Sequence, residues 1–527
     1  MGDEKQRVAE PWWQGGVVYQ IYPRSFQDTN GDGVGDLAGI EARLDHVASL
    51  GVDAVWLSPF YPSPMADFGY DVADYCDVDP LFGDLAAFDH LLAAVHARGL
   101  KLLVDFVPNH SSTEHPWFKE SRSSRDNPKR DWYIWRDPAP GGGEPNNWVS
   151  DMGGAAWAYD APTGQYYLRT FLKEQADLNW RNPAVRAAML DAMRFWLDRG
   201  VDGFRIDVLW HIVKAEGLPH NPANEAWREG QPDKLRLLQH HSTDQPEAHA
   251  FTAEMRALAD DYGDILLVGE IFLPLERLMR WYGTPERPEV HLPFNFELIE
   301  NPWNRDTLAS LIARYDAAIP SFGWPNWVIG SHDAKRIAGR VGEAQARVAM
   351  MLLLTLRGTP TLYQGDEIAI GRVDIPPGRV RDPQALRQPD QPDIGRDPSR
   401  TPMAWEAGEH GGFSEVEPWL PLHDDWRTRN VAAQKDDPAS MLTLTRHLLA
   451  LRRGSVSLRY GSWRLLESDQ DVLAYERVSG NERVLVALNM SGEERRCPVA
   501  GDVLASTLPM RPLGGRLRAN EGVIVRP

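Results

Sequence analysis

Asp207, Glu270 and Asp333 each close a short apolar run: Gly203-Phe204-Arg205-Ile206-Asp207, Ile265-Leu266-Leu267-Val268-Gly269-Glu270 and the stretch from Trp327 through Ser331-His332-Asp333. A fourth run, from Lys101, ends Asp105-Phe106-Val107-Pro108-Asn109-His110. In a strand, successive side chains alternate faces, so Arg205 and Asp207 point one way while Phe204 and Ile206 point the other. A cation two residues from a carboxylate favours its ionised form, and an ionised, immobilised Asp is a nucleophile for a sugar carbon. Glu270 has no arginine two positions away, and crowding by Asp207 and Asp333 suits it to carry a proton. Three carboxylates with His110, His332 and Arg205 can cleave a glycoside. One carboxylate attacks the anomeric carbon, one carboxylic acid protonates the leaving oxygen, and water then releases the sugar, with the two carboxyls roughly 5–5.5 Å apart. Forming the ester removes the charge of Asp207 and readies Glu270 as a base for the second step. A lone buried Asp or His usually completes a structural ion pair; four such groups on four runs, all at the same end, form a constellation.

Eight such runs recur along the chain, at 17–22, 54–59, 101–107, 203–207, 265–270, 291–296, 327–333 and 359–364, and several are separated by helical patterns such as Leu37–Leu50, Leu85–Arg98 and Asn182–Arg199. Nearly continuous apolar strands alternating with helices indicate a parallel sheet covered by helices. Eight of them predict an α/β fold, a (β/α)8 barrel whose functional residues lie at the C-terminal ends of the strands. The rhythm breaks between 108 and 177, a Pro-, Gly-, Asn- and Trp-rich stretch too long for an unstructured connection. The expected organisation is a barrel domain over 11–107 and 178–454, an inserted subdomain over 108–177, and a small antiparallel β domain over 455–527. A second Pro/Arg/Asp-rich excursion, 371–402, follows the eighth strand and is expected over the barrel mouth.

At this point the chain resembles the α-amylase family of glycoside hydrolases, on its α-glucosidase and oligo-1,6-glucosidase branch. The motifs that carry the resemblance are Asp105–His110, Gln175-Ala176-Asp177-Leu178-Asn179-Trp180, Gly203–Asp207, Gly269-Glu270 and His332-Asp333. The resemblance implies Asp207 as nucleophile, Glu270 as acid/base and Asp333 as the transition-state stabiliser. It also implies a glucose-holding subsite lined by Asp67, Tyr70, His110, Phe171, Arg205, His332 and Arg400, with Val208 bordering the leaving group. In the resembling enzymes Val at that position accompanies α-1,6 activity, so isomaltose is an expected substrate, with maltose close behind. Ser331 stands where the family usually has Asn, Met152 where an aromatic is usual, and Leu209-Trp210-His211 departs from the usual continuation. The expected activity is that of a retaining exo-α-glucosidase. The alternatives are a glucosyltransferase or sugar isomerase of the same family and, remotely, a non-catalytic transporter-associated barrel, which the retained carboxylates disfavour.

Asp28-Thr29-Asn30-Gly31-Asp32-Gly33-Val34-Gly35-Asp36 places oxygen ligands at alternate positions, the spacing a hard cation wants. Asp28, Asn30, Asp32, the Val34 carbonyl and Asp36 are the candidate ligands, and Gly39 at the twelfth position excludes an EF-hand. The resembling enzymes bind Ca2+, or sometimes Mg2+, here, and the expected role is structural. Across 527 residues the net charge of −19 disfavours nucleic acid and anionic membranes as partners. Two cysteines, no leader-like segment at Met1–Arg7 and no 18-residue apolar run lead to an expected cytoplasmic enzyme acting on a small imported sugar. The sequence carries no expectation of oligomeric state.

Overall fold

The computed structural model describes residues 11–391 and 394–527. The segment Met1–Arg7, and residues 392–393 within the excursion after the eighth strand, lie outside the described residues. Eight parallel strands form one sheet in the spatial order β6-β5-β4-β3-β2-β1-β8-β7. They are β1 (Val18–Ile21), β2 (Ala54–Leu57), β3 (Lys101–Phe106), β4 (Gly203–Ile206), β5 (Leu266–Gly269), β6 (Leu292–Pro293), β7 (Asn326–Val328) and β8 (Thr359–Tyr363). All eight expected runs are present, but the sixth shrinks to two residues. Asn326 supplies what backbone pairing leaves out there: its side chain accepts from Asn295 N at 2.9 Å and donates to the Pro293 carbonyl.

Helices α1 (Leu37–Leu50), α2 (Leu85–Ala97), α3 (Pro183–Arg199), α4 (Pro246–Asp261), α5 (Arg305–Ala318) and α6 (Glu343–Thr355) cover the sheet. Their limits are written locally. Asp36, Asp84 and Asn182 cap the first turns of α1, α2 and α3 by accepting backbone N–H bonds. Gly200, at φ +99°, stops α3 and returns the chain to β4. Phe204 and Ile206 pack outward into the core under the helices, whereas Trp56, Leu103, Leu266 and Val268 fill the interior of the barrel. Gly203 has a steric reason: a Cβ there would sit 2.3 Å from the Leu266 carbonyl oxygen. That close approach sets the register of β4 on β5, pairing Ile206 with Gly269, and the register brings Asp207 beside Glu270.

The insertion between β3 and α3 contains two small antiparallel sheets, one pairing His110–Ser112 with Gln175–Asp177, the other built from Trp135–Arg136, Gln165–Leu168 and Trp157–Asp160. The first of them continues directly from the end of β3, so the insertion hangs over the C-terminal rim of the barrel. Beyond α7 (Met441–Gly454), a five-stranded antiparallel sheet spans Ser462–Arg526.

Candidate active site

The C-terminal ends of the strands open into a pocket of about 650 Å³ between the barrel and the insertion. Arg205, at the end of β4, is buried and organises it. Nη1 donates to Asp207 Oδ1 at 2.7 Å and to Asp105 Oδ1 at 2.8 Å, while Nη2 donates to Glu270 Oε2 at 2.6 Å. Glu270, with no arginine two positions away in sequence, nonetheless meets one, because the cation arrives from the adjacent strand. A second donor to the same Glu270 oxygen is Val208 N, at 3.0 Å. Val208 makes it by taking φ +36°, the left-handed region, which a β-branched residue adopts at a cost of about 1–3 kcal/mol. The strain lies immediately after Asp207, where it aims a backbone N–H at the neighbouring carboxylate.

One guanidinium cannot neutralise three carboxylates. Burial is the main influence on Asp105 and Asp207 and raises both, Asp105 to about 7; Arg205 opposes it, and the neighbouring carboxylates reinforce it. The expectation that Arg205 alone keeps Asp207 ionised is corrected on the same ground, since its charge is shared. Asp333 behaves differently. Burial would raise it too, but His332, Arg400 and Arg396 outweigh burial and hold it well below the ordinary carboxylate range. It lies deep in the pocket, yet 34% of its side chain faces the opening. Arg400 Nη2 donates to Asp333 Oδ1 at 2.6 Å, and Arg400 Nε donates to the His332 carbonyl.

His332 is neutral near pH 7, because burial lowers it to about 4. Gln20 Nε2 donates to its Nδ1 at 2.7 Å, which assigns the ring proton to Nε2. That atom faces the Tyr70 hydroxyl at 2.7 Å and Asp333 Oδ2 at 3.0 Å, and the Tyr70 and His332 rings stack 5.4 Å apart. With His332 neutral, the permanent positive charges beside Asp333 are the two arginines. His110, lowered by burial to about 4, approaches the Tyr70 carbonyl at 3.1 Å and packs against Phe171.

The predicted residues therefore converge. Asp67, Tyr70, His110, Phe171, Asp207, Val208, Glu270 and Asp333 line the pocket; Arg205, His332 and Arg400 stand behind them. Met152 is part of the wall, and the Ser331 hydroxyl accepts from Asp333 N at 3.2 Å. Three contributors went unassigned in the sequence reading. Asp105 joins Arg205 to Tyr70. Gln175 donates to Asp67 at 3.2 Å. Arg396 spans one wall, bonding Asp67 and Asp382 at 2.7 Å and Asp333 at 3.3 Å. Asp105 and Gln175 lie within the motifs quoted above and Arg396 lies four residues before Arg400, so proximity to those motifs was the available signal. On the opposite wall, Trp210 stands in the Leu209-Trp210-His211 stretch singled out above, whereas Leu235, Leu238 and Phe272 carried no such signal.

The Asp28–Asp36 loop forms a ladder of turns in which Asn30 N donates to Asp28, Asp32 N to Asn30 and Val34 N to Asp32. Asp36 accepts from Thr29 N while capping α1. Among the described residues no three of His, Cys, Asp and Glu converge as a metal-ligand group. The candidate donors of the loop are all oxygens, the chemistry a hard cation takes, and the Asp28 and Asp36 carboxylates also accept hydrogen bonds from the loop itself.

The α-amylase catalytic-domain family matches residues 20–461. Over 512 residues the chain is 43% identical to a probable α-glucosidase of Rhizobium meliloti (strain 1021), covering 94% of this chain and 92% of that protein. It is 40% identical over 529 residues to an oligo-1,6-glucosidase of Halalkalibacterium halodurans, covering 93% of each. Among solved structures, the α-glucosyl transfer enzyme XgtA aligns with a TM-score of 0.91 at 40% identity, over 98% of this chain and 100% of that one. The trehalulose synthase MutB of Pseudomonas mesoacidophila MX-45 aligns with a TM-score of 0.91 at 34% identity, over 98% and 99%. With a match that takes in the barrel, the insertion and every carboxylate of the pocket, the chain belongs to the α-amylase family of glycoside hydrolases.

Proposed function

We infer that the protein is a retaining, exo-acting α-glucosidase that releases terminal glucose from disaccharides and short oligosaccharides. The observation that carries the reading is the single guanidinium of Arg205 holding Asp207 on one nitrogen and Glu270 on the other. Two carboxyls so held are close enough for double displacement. Asp207 attacks the anomeric carbon while Glu270 donates its proton to the leaving oxygen; water, deprotonated by Glu270, then opens the ester. Positive charge developing at the anomeric carbon favours the ionised form of Asp207, offsetting the burial that raises it. Asp333, kept anionic by Arg396 and Arg400, accepts hydrogen bonds from sugar hydroxyls, as does Asp67. Arg396, linking Asp67 to Asp333, closes the wall against a longer chain and favours attack at a terminal residue.

Proton NMR of the first product from p-nitrophenyl α-glucoside tests the mechanism: α-glucose is expected, and β-glucose appearing first overturns it. Val208 at the pocket wall supports isomaltose alongside maltose as substrate. Glucosyl transfer is the second reading, favoured by the likeness to the α-glucosyl transfer enzyme XgtA over nearly the whole chain.

Ca2+, or Mg2+, held by Asp28, Asn30, Asp32, the Val34 carbonyl and Asp36 belongs to the same reading as a structural ion. Chelation should lower the melting temperature more than the initial rate at moderate temperature. An unchanged melting temperature in protein shown metal-free by elemental analysis counts against the site. The unpaired Cys76 and Cys497 and the net charge of −19 support a cytoplasmic enzyme without nucleic-acid or membrane partners. Among the described residues no helix is long and apolar enough to cross a membrane.

A further inference from the structure

A second cavity, of about 180 Å³, lies beside the N-terminal ends of β1 and β2, at the opposite end of the barrel from the catalytic pocket. Gly15, Gly51 and Asp53 line it from the barrel side; Arg452, Arg453 and Arg459 line it from the end of α7 and the short helix Val456–Tyr460. Three arginines thus stand against one carboxylate, in a chain whose net charge is −19. That carboxylate is already in use: Asp53 accepts from Val17 N at 2.9 Å and meets Arg453 Nη2 at 3.3 Å. Arg452 is 1% exposed, and no carboxylate among the described residues pairs with it. Its Nη atoms donate to the carbonyls of Leu354, Leu356, Leu458 and Gly358, while its Nε is buried without a partner. Burial pushes Arg452 down to about 10; Asp53 draws it up and Arg459 presses it further down. Arg459, half-buried, makes no hydrogen bond and no ion pair among the described residues. It rests on the Tyr460 ring at 4.9 Å and against Gly15, where a Cβ would come within 2.6 Å of Nε and Nη2.

Charges withdrawn from water without a counter-charge, and donors left unpaired, each cost free energy. A tetrahedral oxyanion brings what is missing, since it carries negative charge and accepts several N–H bonds from guanidinium forks at once. We propose that this cavity binds a phosphate-type oxyanion, held by Arg459 and Arg453, with Arg452 adding charge from behind. The site is independent of the chemistry at the other end of the barrel. Its occupant bridges the segment before β1, the end of α1 and the last turn of α7, so it acts on stability and leaves turnover alone.

The test follows the melting temperature as sodium phosphate replaces sodium chloride at constant ionic strength. For the wild type a saturable rise is expected, of about 2 °C or more once the site is filled. Arg459→Gln should melt close to the wild type in chloride, because Arg459 has no bond to lose, and should lose the rise. Arg459→Lys, which keeps the charge, should retain part of it. Phosphorus NMR reads the same site without heating: wild-type protein should broaden the inorganic phosphate line, and Arg453→Gln should broaden it less. Glycerol phosphate separates the sources. An equal rise assigns the site to phosphate monoesters and a rise with inorganic phosphate alone assigns it to the free ion; either sustains the oxyanion site. A wild-type melting temperature that does not rise as phosphate replaces chloride overturns the proposal. So does a rise or a broadening that both glutamine variants share in full.

Discussion

The two walls of the pocket solve opposite problems. On the glucose-holding side, two sets of paired charges, Arg205–Asp105 and Asp67–Arg396–Asp333–Arg400, meet through Tyr70 and the neutral His332. Such a wall is rigid, expensive to perturb and matched to a ring with hydroxyls in fixed places. On the leaving-group side, Lys234 and Arg277 are paired with Asp151 and Asp244, and Leu235, Leu238 and Phe272 stand exposed beside Glu300 and His240. That wall discriminates by shape and area, and a methyl-sized change there is worth only about 1–3 kcal/mol. Asp207 and Glu270 stand between the two. Recognition of the glucose ring is therefore stiff, while choice of leaving group and acceptor is soft and open to change by few residues.

The largest expected effect lies between the walls. Asp207→Asn, nearly isosteric, should lower kcat on every α-glucoside by roughly 10^4-fold or more without moving the melting temperature, and a mild, substrate-dependent loss would remove the nucleophile assignment. Glu270→Gln should be next and should split by leaving group. Maltose turnover should fall about 10^2–10^4-fold, whereas p-nitrophenyl α-glucoside, whose leaving group needs little protonation, should lose far less. Equal losses would mean that another group donates the proton.

Arg396→Met probes the stiff wall alone. Removing one partner from a buried ion pair costs about 3–5 kcal/mol, spread between stability and binding, so the melting temperature should fall and KM should rise alike for maltose and isomaltose. A change in the ratio of the two substrates would show that the walls are not separable. The smallest effect concerns pH. His332 has a folded pKa of about 4, below its ordinary value of about 6.5, so the unfolded chain binds the proton first and stability is lost as pH falls through that window. His332→Gln, which cannot titrate, should lose less melting temperature than wild type between pH 7 and pH 4.5. Identical slopes would place the ring in a more open environment than its stacking on Tyr70 indicates.

The barrel, the insertion and the ends of the strands were legible because their signals are local. Apolar runs of strand length alternate with capped helices, and an Arg two residues from an Asp shares its face whatever the rest of the chain does. The same locality made Asp207, Glu270 and Asp333 visible as a set. What the local pattern left out is every contact that depends on how one strand lies against the next. Glu270 reads as a carboxylate without a cation until the close approach of Gly203 to Leu266 fixes the β4–β5 register and delivers Arg205 to it. Arg396 meets Asp67 across 329 residues of chain, a pairing no spacing encodes. Leu235 and Leu238 sit in a loop without periodicity, and their role exists only because the neighbouring loop brings Phe272 to the same opening. The sequence by itself determined which groups could react and roughly where along the barrel they stand. Only the tertiary structure decided which charges share a partner and which wall stays apolar, because both depend on distances between strands and loops that chain order does not record.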